Sequence, residues 1–308
     1  MRCYCGCDKP LQQCLMPEGI SAGICLCCGY MKTLGETAGD RIQVQEQHPG
    51  AFQGDDGKRF GSFIGGVRAI CARYRVRRAQ LGEPGKGQVL DFGCGQGYFL
   101  DALGACGYRS VGVEISELTS RVAASKGHQV ARSVDQLPGA SISALVSVHV
   151  LEHLPSPEAM LAEVRRVLVP NARVYLEVPN FRSWQARVYG ARWLHCEPGL
   201  HVHHFSQAAF AEMLASQGIL IESWQTYSFE HGLLGWVQSL YNLLFPYNRF
   251  FRFVVLNRPL RDKVRSWPEM LLFPLVFPVG LALFLLESMA GKGAVLRIRG
   301  RFAAKSHP

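Results

Sequence analysis

The stretch Val89-Leu90-Asp91-Phe92-Gly93-Cys94-Gly95-Gln96-Gly97-Tyr98-Phe99-Leu100 constrains this chain more than any other. A short apolar run ends in Asp91, three glycines follow at alternate positions, and a helix-like apolar pattern resumes at Tyr98. That order predicts a buried strand, a tight turn and a helix N-terminus. Glycine lacks a Cβ and tolerates positive φ, so such a turn lets backbone approach a ligand closely.

From this point the sequence alternates strand and helix patterns. Strands are predicted at Gln88–Phe92, Ser110–Glu114, Gln129–Arg132, Ile142–Val148, Arg173–Val178 and Ile219–Thr226. Helices are predicted at Gly97–Ala105, Glu117–Lys126, Pro157–Leu168 (with Ser156 as its cap) and Gln207–Gln217. A last strand, Ala294–Phe302, alternates apolar and basic residues and comes late. The alternation implies an α/β fold with a doubly wound, mostly parallel sheet covered by helices. Ahead of it, residues 60–81 fit an amphipathic helix, with Phe63, Ile64, Val67, Ile70, Cys71 and Tyr74 inward and Arg73, Arg75, Arg77 and Arg78 on a solvated face.

Composition adds two constraints. With 48% hydrophobic and 19% charged residues among 308, the chain can bury a substantial core, and its formal net charge of +9 favours an anionic partner such as nucleic acid, a phosphorylated substrate or anionic lipid. Seven of the eleven cysteines lie within the first 28 residues, with no apolar leader before them. Clustered cysteines in a cytosolic chain point to metal rather than disulfides. Cys25 and Cys28 have the C-x₂-C spacing of a zinc knuckle; Cys3 and Cys5 are the expected partners, with Cys7 the close alternative. Four thiolates would make a closed, structural Zn²⁺ site. The expected division is a zinc-ribbon-like segment at 1–34, a linker and leading helix at 35–84, the main domain at 85–228 and 292–304, and an apolar insertion at 229–291.

The spacing Asp91-x-Gly93-x-Gly95-x-Gly97, with Glu114 ending the next strand 23 residues after Asp91 and Leu151-Glu152-His153-Leu154 after the fourth, resembles class I S-adenosylmethionine-dependent methyltransferases. The nearest rival is a dinucleotide-binding sheet, whose glycine spacing differs. The resemblance implies a Rossmann-like methyltransferase fold of seven strands. It places Gly93, Gly95 and Gly97 against the methionine and ribose of the cofactor, Asp91 near the methionine amine, Glu114 on the ribose hydroxyls and Ile115 on the adenine. Either Ser133 or Asp135 would stand at the adenine position. Ser143 replaces an aspartate that the family commonly carries early in its fourth strand.

Four histidines are candidates for catalysis. His149 and His153 flank the end of the fourth strand; His201 and His204 belong to a His-rich segment that ends in Phe205-Ser206, as in many relatives. They could act as base, hold an acceptor group or, with Glu152 or His149, bind a divalent ion.

Met270–Leu286 carries no charge across 17 residues and contains Pro274 and Pro278. A span needs roughly 20 apolar residues. The last strand must also rejoin the sheet, so the chain returns to the side it left. An interfacial or re-entrant hairpin, with Leu233–Leu256 as its other arm and a basic link (Arg258, Arg261, Lys263, Arg265), fits both facts. The expectation is a bacterial-type, cytoplasmic enzyme, peripheral or monotopic at the inner membrane. It would O-methylate a quinone, a polyprenyl-linked sugar or a related small or lipid-linked acceptor on an anionic membrane surface. A nucleic-acid methyltransferase or a non-catalytic scaffold are the alternatives; no Asn-Pro-Pro-Tyr-like motif supports the former.

Overall fold

A computed structural model describes residues 3–16, 19–34, 61–197, 200–250 and 267–303. The predicted linker at 35–58 and the basic link at 258–265 lie outside the described residues. The main sheet has seven strands: β4 (Gln88–Phe92), β5 (Arg109–Val113), β6 (Val130–Ala131), β7 (Ile142–Val148), β8 (Leu168–Pro179), β10 (Ile219–Gln225) and β11 (Val295–Phe302). Their spatial order is β10-β11-β8-β7-β4-β5-β6. The β6-β5-β4-β7-β8 block is parallel, and β11 runs antiparallel to both β8 and β10. Leu90, Ile142, Leu145 and Leu176 are fully buried, as central strands covered on both faces require.

The strands are joined by α2 (Tyr98–Ala105), α3 (Glu117–Ser125), α4 (Pro157–Val164) and α6 (Gln207–Ser216), with α1 (Gly61–Ala79) leading in and α5 (Trp184–Tyr189) after β8. Two expectations are corrected. Helix α4 stops at Val164 rather than Leu168, because Leu168 already pairs with Ile142 at the start of β8. Ser156 holds the N-cap position but its side chain makes no capping bond; Ser183, Ser206 and Ser228 cap their helices instead, accepting from Ala186, Ala209 and His231 amides.

A second sheet is built from β1 (Gln12–Leu15), β2 (Ser21–Ile24), β3 (Met31–Thr33) and β9 (His203–His204). Its first three strands form the cysteine-bearing head; its fourth comes from the His-rich segment, with Met31 opposite His204 and Lys32 opposite His203. The head shares the main core, where Cys3, Cys25 and Tyr30 pack in one cluster with Phe205 and Phe210. Tyr4 donates to Glu158 at 2.8 Å, and Tyr30 bonds His203 Nδ1 at 2.7 Å.

The insertion is an antiparallel pair of helices, α7 (Phe229–Leu244) and α8 (Trp267–Met289). Gly280 lets the two approach: a Cβ there would stand 2.7 Å from Val237 Cγ2. Glu269 and Glu287 lie 18 residues apart, about five turns at 3.6 residues each, so both fall on the stripe facing inward. Both are fully buried. Glu287 accepts from Trp236 Nε1 and Gln185 Nε2, each at 2.9 Å, and Glu269 pairs with Arg249. An 18-residue stretch of α8 has a mean hydropathy of 2.2; Leu271 and Leu275 turn outward, 68% and 69% exposed, while Gly280 and Phe284 are buried against α7.

One buried carboxylate ties the carboxyl-end rim of the main sheet together. Glu177, near the end of β8, meets Arg297 of β11 at 2.6 Å, Arg75 of α1 at 3.3 Å and His149, just past β7, at 3.3 Å. Arg75 is thus 8% exposed and paired, a correction to the solvated face expected of the α1 arginines. The inward face of α1 is instead Ala72, Arg75, Val76 and Ala79, while Ile70 and Tyr74 are exposed. Burial works against charge on Glu177, yet the two guanidinium groups and His149 hold its carboxyl well below the usual range. Burial also disfavours a charged His149, but Glu152 and Glu177 raise it to about 9. His195 and His203 behave oppositely, lowered to about 4, chiefly by burial.

These shifts set a stability profile. A histidine raised to about 9 contributes fully below its unfolded pKa near 6.5, and that contribution is lost as pH rises to about 9. His195 and His203 must take up protons on acidification, so stability falls from pH 6.5 toward about 4. Urea midpoints measured across pH 5–9.5 should peak near 6.5. His149→Asn should flatten the alkaline limb, worth of order 2–3 kcal/mol, and leave the acid limb in place.

Candidate functional site

The glycine turn forms as its sequence requires. Gly93, Gly95 and Gly97 have φ of 76°, 51° and 81°, the left-handed region. The turn is stitched to the end of β5: Gly93 and Cys94 amides donate to Val113 O at 2.8 and 3.2 Å. A Cβ on Gly93 would strike Val150 Cγ2 at 2.4 Å, so that position must be glycine to admit the β7 rim. A Cβ on Gly95 would meet nothing within 4 Å. That glycine therefore borders open space, where a ligand can approach the backbone.

Glu114 anchors the same turn. Its two oxygens accept from the Gly95 and Ser116 amides, both at 2.8 Å. Each oxygen keeps a second lone pair for another donor. Asp91 is 3% exposed, and its Oδ2 has no partner among the described residues. Burial, with Glu114 adding to it, raises Asp91 to about 7. An unpartnered buried carboxylate oxygen beside a glycine turn fits a ligand that brings its own positive donor, as the methionine ammonium of S-adenosylmethionine does. Ile115 is 62% exposed beyond the strand end, available as an apolar platform. Ser133 holds the N-cap position of a short 3₁₀ turn, Val134–Gln136, without a side-chain capping bond, and Asp135 is turned to solvent, 3.7 Å from Arg166. Ser143 donates to Gln88 O at 3.0 Å, which makes it a brace between β7 and β4.

The four candidate histidines fall into distinct electrostatic states. His149 has φ of 56° and is held between Glu152 at 3.2 Å and Glu177 at 3.3 Å, so it is an imidazolium at neutral pH. His201 bonds His195 O through Nδ1 at 3.0 Å and Glu197 through Nε2 at 3.2 Å. Burial opposes its charge, but Glu197 raises it. Both ring nitrogens face acceptors, an arrangement that favours the protonated ring. His204 sits in β9, buried, with Nε2 3.4 Å from Thr33 Oγ1 and a pKa pushed well down, mainly by burial. His153 is different. Its Nδ1 donates to Leu200 O at 3.2 Å, burial and then His201 lower its pKa, and the lone pair is left on Nε2. Of the four, it alone is both neutral and oriented as a base.

His153 and His201 lie edge to face at 4.6 Å, and ligand atoms of Glu152, His153 and His201 fall within 4.8 Å of one another. Glu152 is fully buried, with Oε2 unpartnered among the described residues. His231 was not anticipated from the sequence: its ring is 4.1 Å from His149, and with Glu177 they form a second such group. That second group faces two guanidinium charges, which oppose a cation there.

In the head, the Sγ atoms of Cys3, Cys5, Cys25 and Cys28 lie within 4.8 Å of one another, the four residues expected from the sequence. The Cys3–Cys28 and Cys5–Cys25 separations are 3.4 and 3.7 Å. A tetrahedron of Zn–S bonds has edges of about 3.8 Å. Cys7 also reaches Cys25, at 3.4 Å, but it groups with Cys25 and Cys27 rather than with the four. Burial works against a Cys25 thiolate, yet the Cys28 amide, the Cys7 thiol and their neighbours lower it to about 6.

Residues 65–223, just over half of the chain, match the family described as a methyltransferase domain. Curated relatives include the ubiquinone biosynthesis O-methyltransferases of Idiomarina loihiensis, 26% identical over 43% of this chain and 65% of the relative, and of Thiobacillus denitrificans, 28% identical over 42% and 59%. The chain thus spans about three fifths of the length of the relatives it matches. Among solved structures, the [4+2]-cyclase SpnF superposes with a TM-score of 0.52 at 16% identity, covering 89% of this chain and 98% of that one. A chain from the complex of the Haloferax volcanii Trm112 methyltransferase activator with a methyltransferase superposes with a TM-score of 0.50 at 16% identity, over 80% and 95%. The glycine turn, its acidic partners and the strand order agree with the family match: this chain belongs to the class I S-adenosylmethionine-dependent methyltransferases.

Proposed function

We propose that the protein is an O-methyltransferase working at a membrane surface on a lipid-like or lipid-linked acceptor, with a head held by structural zinc. The observation that carries the donor half is the pairing of the Gly95 cradle with Glu114 and the unpartnered Asp91 Oδ2. Fold alone would not suffice, since a [4+2]-cyclase has the same one. S-adenosylmethionine supplies a methyl group on a sulfonium when bound. Asp91 would receive its ammonium, Glu114 would accept from its ribose hydroxyls, Ile115 would pack on its adenine, and Ser133 or Asp135 would stand at the adenine position.

The acceptor half rests on the histidines and the insertion. A hydroxyl must lose its proton as its oxygen takes the methyl group, and His153 Nε2 has the lone pair to receive it. His149, raised to about 9, and His201, raised by Glu197, stabilise negative charge developing on that oxygen, and His204 braces the segment from β9. Holding donor and oxygen in line supplies much of the acceleration. The O-methyltransferase activity of the curated relatives supports oxygen as the methylated atom. The outward apolar face of α8, together with the net charge of +9, supports seating on an anionic bilayer. The tetrathiolate geometry supports zinc, with a structural role because all four positions come from protein.

Four measurements test these parts separately. Calorimetry should show S-adenosylmethionine binding to the purified protein, weakened at least 30-fold by Glu114→Ala. His153→Ala should keep that binding and lose 100-fold or more in methyl transfer to a bacterial lipid extract; equal turnover removes His153 from the mechanism. Elemental analysis should find one zinc per chain in the wild type and none in Cys25→Ser with Cys28→Ser. The protein should pellet with phosphatidylglycerol vesicles, and Leu271→Glu with Leu275→Glu should leave it in the supernatant.

A further inference from the structure

A cavity of about 260 Å³ opens between α1, the turn from β10 into α7, and β11. Tyr74, Tyr227 and Phe229 wall it, and Arg75, Arg297 and Glu230 lie at its polar end. It sits on the carboxyl-end rim: Gln225, Arg297 and Glu177 are neighbours across β10, β11 and β8. Rim cavities of this kind are where parallel α/β sheets take their ligands.

Two features of the polar end are unusual. Arg297 is 3% exposed and spends its Nε on Glu177, but its Nη1 has no partner among the described residues. Arg75 is 8% exposed and gives Nη1 to Glu230 and Nη2 to Glu177, but its Nε likewise has none. Buried guanidinium donors are rarely left without an acceptor. Glu230 does not fill the role, since Arg75 already engages it at 3.0 Å. Both arginines line the cavity, and each keeps a buried N–H that no oxygen among the described residues receives.

The other end is apolar and open. Tyr74, Tyr227 and Phe229 are 45%, 40% and 46% exposed. Tyr227 and Phe229 pack against Phe284 of α8, with centroids at 5.7 and 5.9 Å. The cavity mouth thus packs against α8 through the buried Phe284.

We infer that this cavity binds the head of an amphiphile that carries an oxyanion, a carboxylate or a phosphate ester, on Arg297 and Arg75, with its apolar chain running past Tyr227 and Phe229 onto α8. This deepens the acceptor reading above and rests on it for the role of the bound molecule. The binding itself is read independently of the methyl donor.

The test uses the full-length protein and three probes with one tail: dodecyl phosphate, dodecanoate and dodecanol, titrated below their micellar concentrations by calorimetry. At least one anion should bind tenfold or more tighter than dodecanol, and the tighter of the two anions identifies the head as phosphate or carboxylate. Arg297→Gln should bring both anions to the level of the alcohol. Because Arg297 also holds Glu177, the exposed pair Tyr74→Ala with Phe229→Ala provides a second variant, which should weaken the preferred anion at least tenfold. Dodecanol binding as tightly as both anions overturns the inference. So does unchanged anion affinity in Tyr74→Ala with Phe229→Ala, which marks attraction to the basic surface at large. S-adenosylmethionine is titrated into the same samples: its failure to bind the wild type counts against the donor site alone, while its retention in the variants shows that they are folded.

Discussion

The arrangement depends on one buried charge. Glu177 has no exposure to solvent, and a lone carboxylate there would be strongly unfavourable. It is tolerated because Arg297, Arg75 and His149 converge on it from β11, α1 and the end of β7, and Tyr175 adds a donor at 3.4 Å. Without the glutamate, Arg297 would keep no carboxylate among the described residues, while Arg75 and His149 would keep Glu230 and Glu152. The elements that deliver them are far apart in sequence, so the ion cluster fixes how the leading helix and the late antiparallel strand close over the rim. His149 passes the same constraint to Glu152, and so to the Leu151–His153 turn beside the histidine segment.

Donor and acceptor regions are made by different means. The donor cradle is local: a glycine turn, one strand end and one acidic residue on the next strand, all within 24 residues of sequence. The region proposed for the acceptor draws on α1, the β7 rim, the segment around His201, the β10–α7 turn and β11. Among its histidines, carboxylates raise His149 and His201, while burial lowers His153, whose Nδ1 donates to a carbonyl. That division comes from hydrogen-bond partners rather than from residue type, because burial alone would push all of them toward the neutral form.

Legibility in the sequence follows the same division. The succession of strands along the chain, the glycine turn, Glu114 and the grouping of Cys3, Cys5, Cys25 and Cys28 could be read because short-range spacing carries them. Arg75 could not. On a helix with arginines at 73, 75, 77 and 78, nothing local separates the one that is buried, since its partner Glu177 lies 102 residues away. His231 was missed for the same reason: it meets His149 only after the insertion folds back. Ser156 misled in the other direction, since a serine before a helical proline reads as a cap whether or not its hydroxyl turns toward the helix. The apolar insertion was legible as a hairpin because the last strand had to rejoin the sheet, a topological argument rather than a compositional one.

The pairing of β3 with β9 has a consequence for how the protein is made. The head leaves the ribosome well before residues 203 and 204, so its sheet lacks its fourth strand until they follow; the Tyr30–His203 bond joins residues 173 positions apart. Until then β3 presents an open edge, and Tyr30 and Cys25, buried in the finished core, lack their cover. Long-range closure of this kind slows folding and prolongs exposure to wrong partners. A metal ion bound early by the four thiols would hold the nascent head in shape through that interval, so the cluster serves the chain's maturation as much as its finished form.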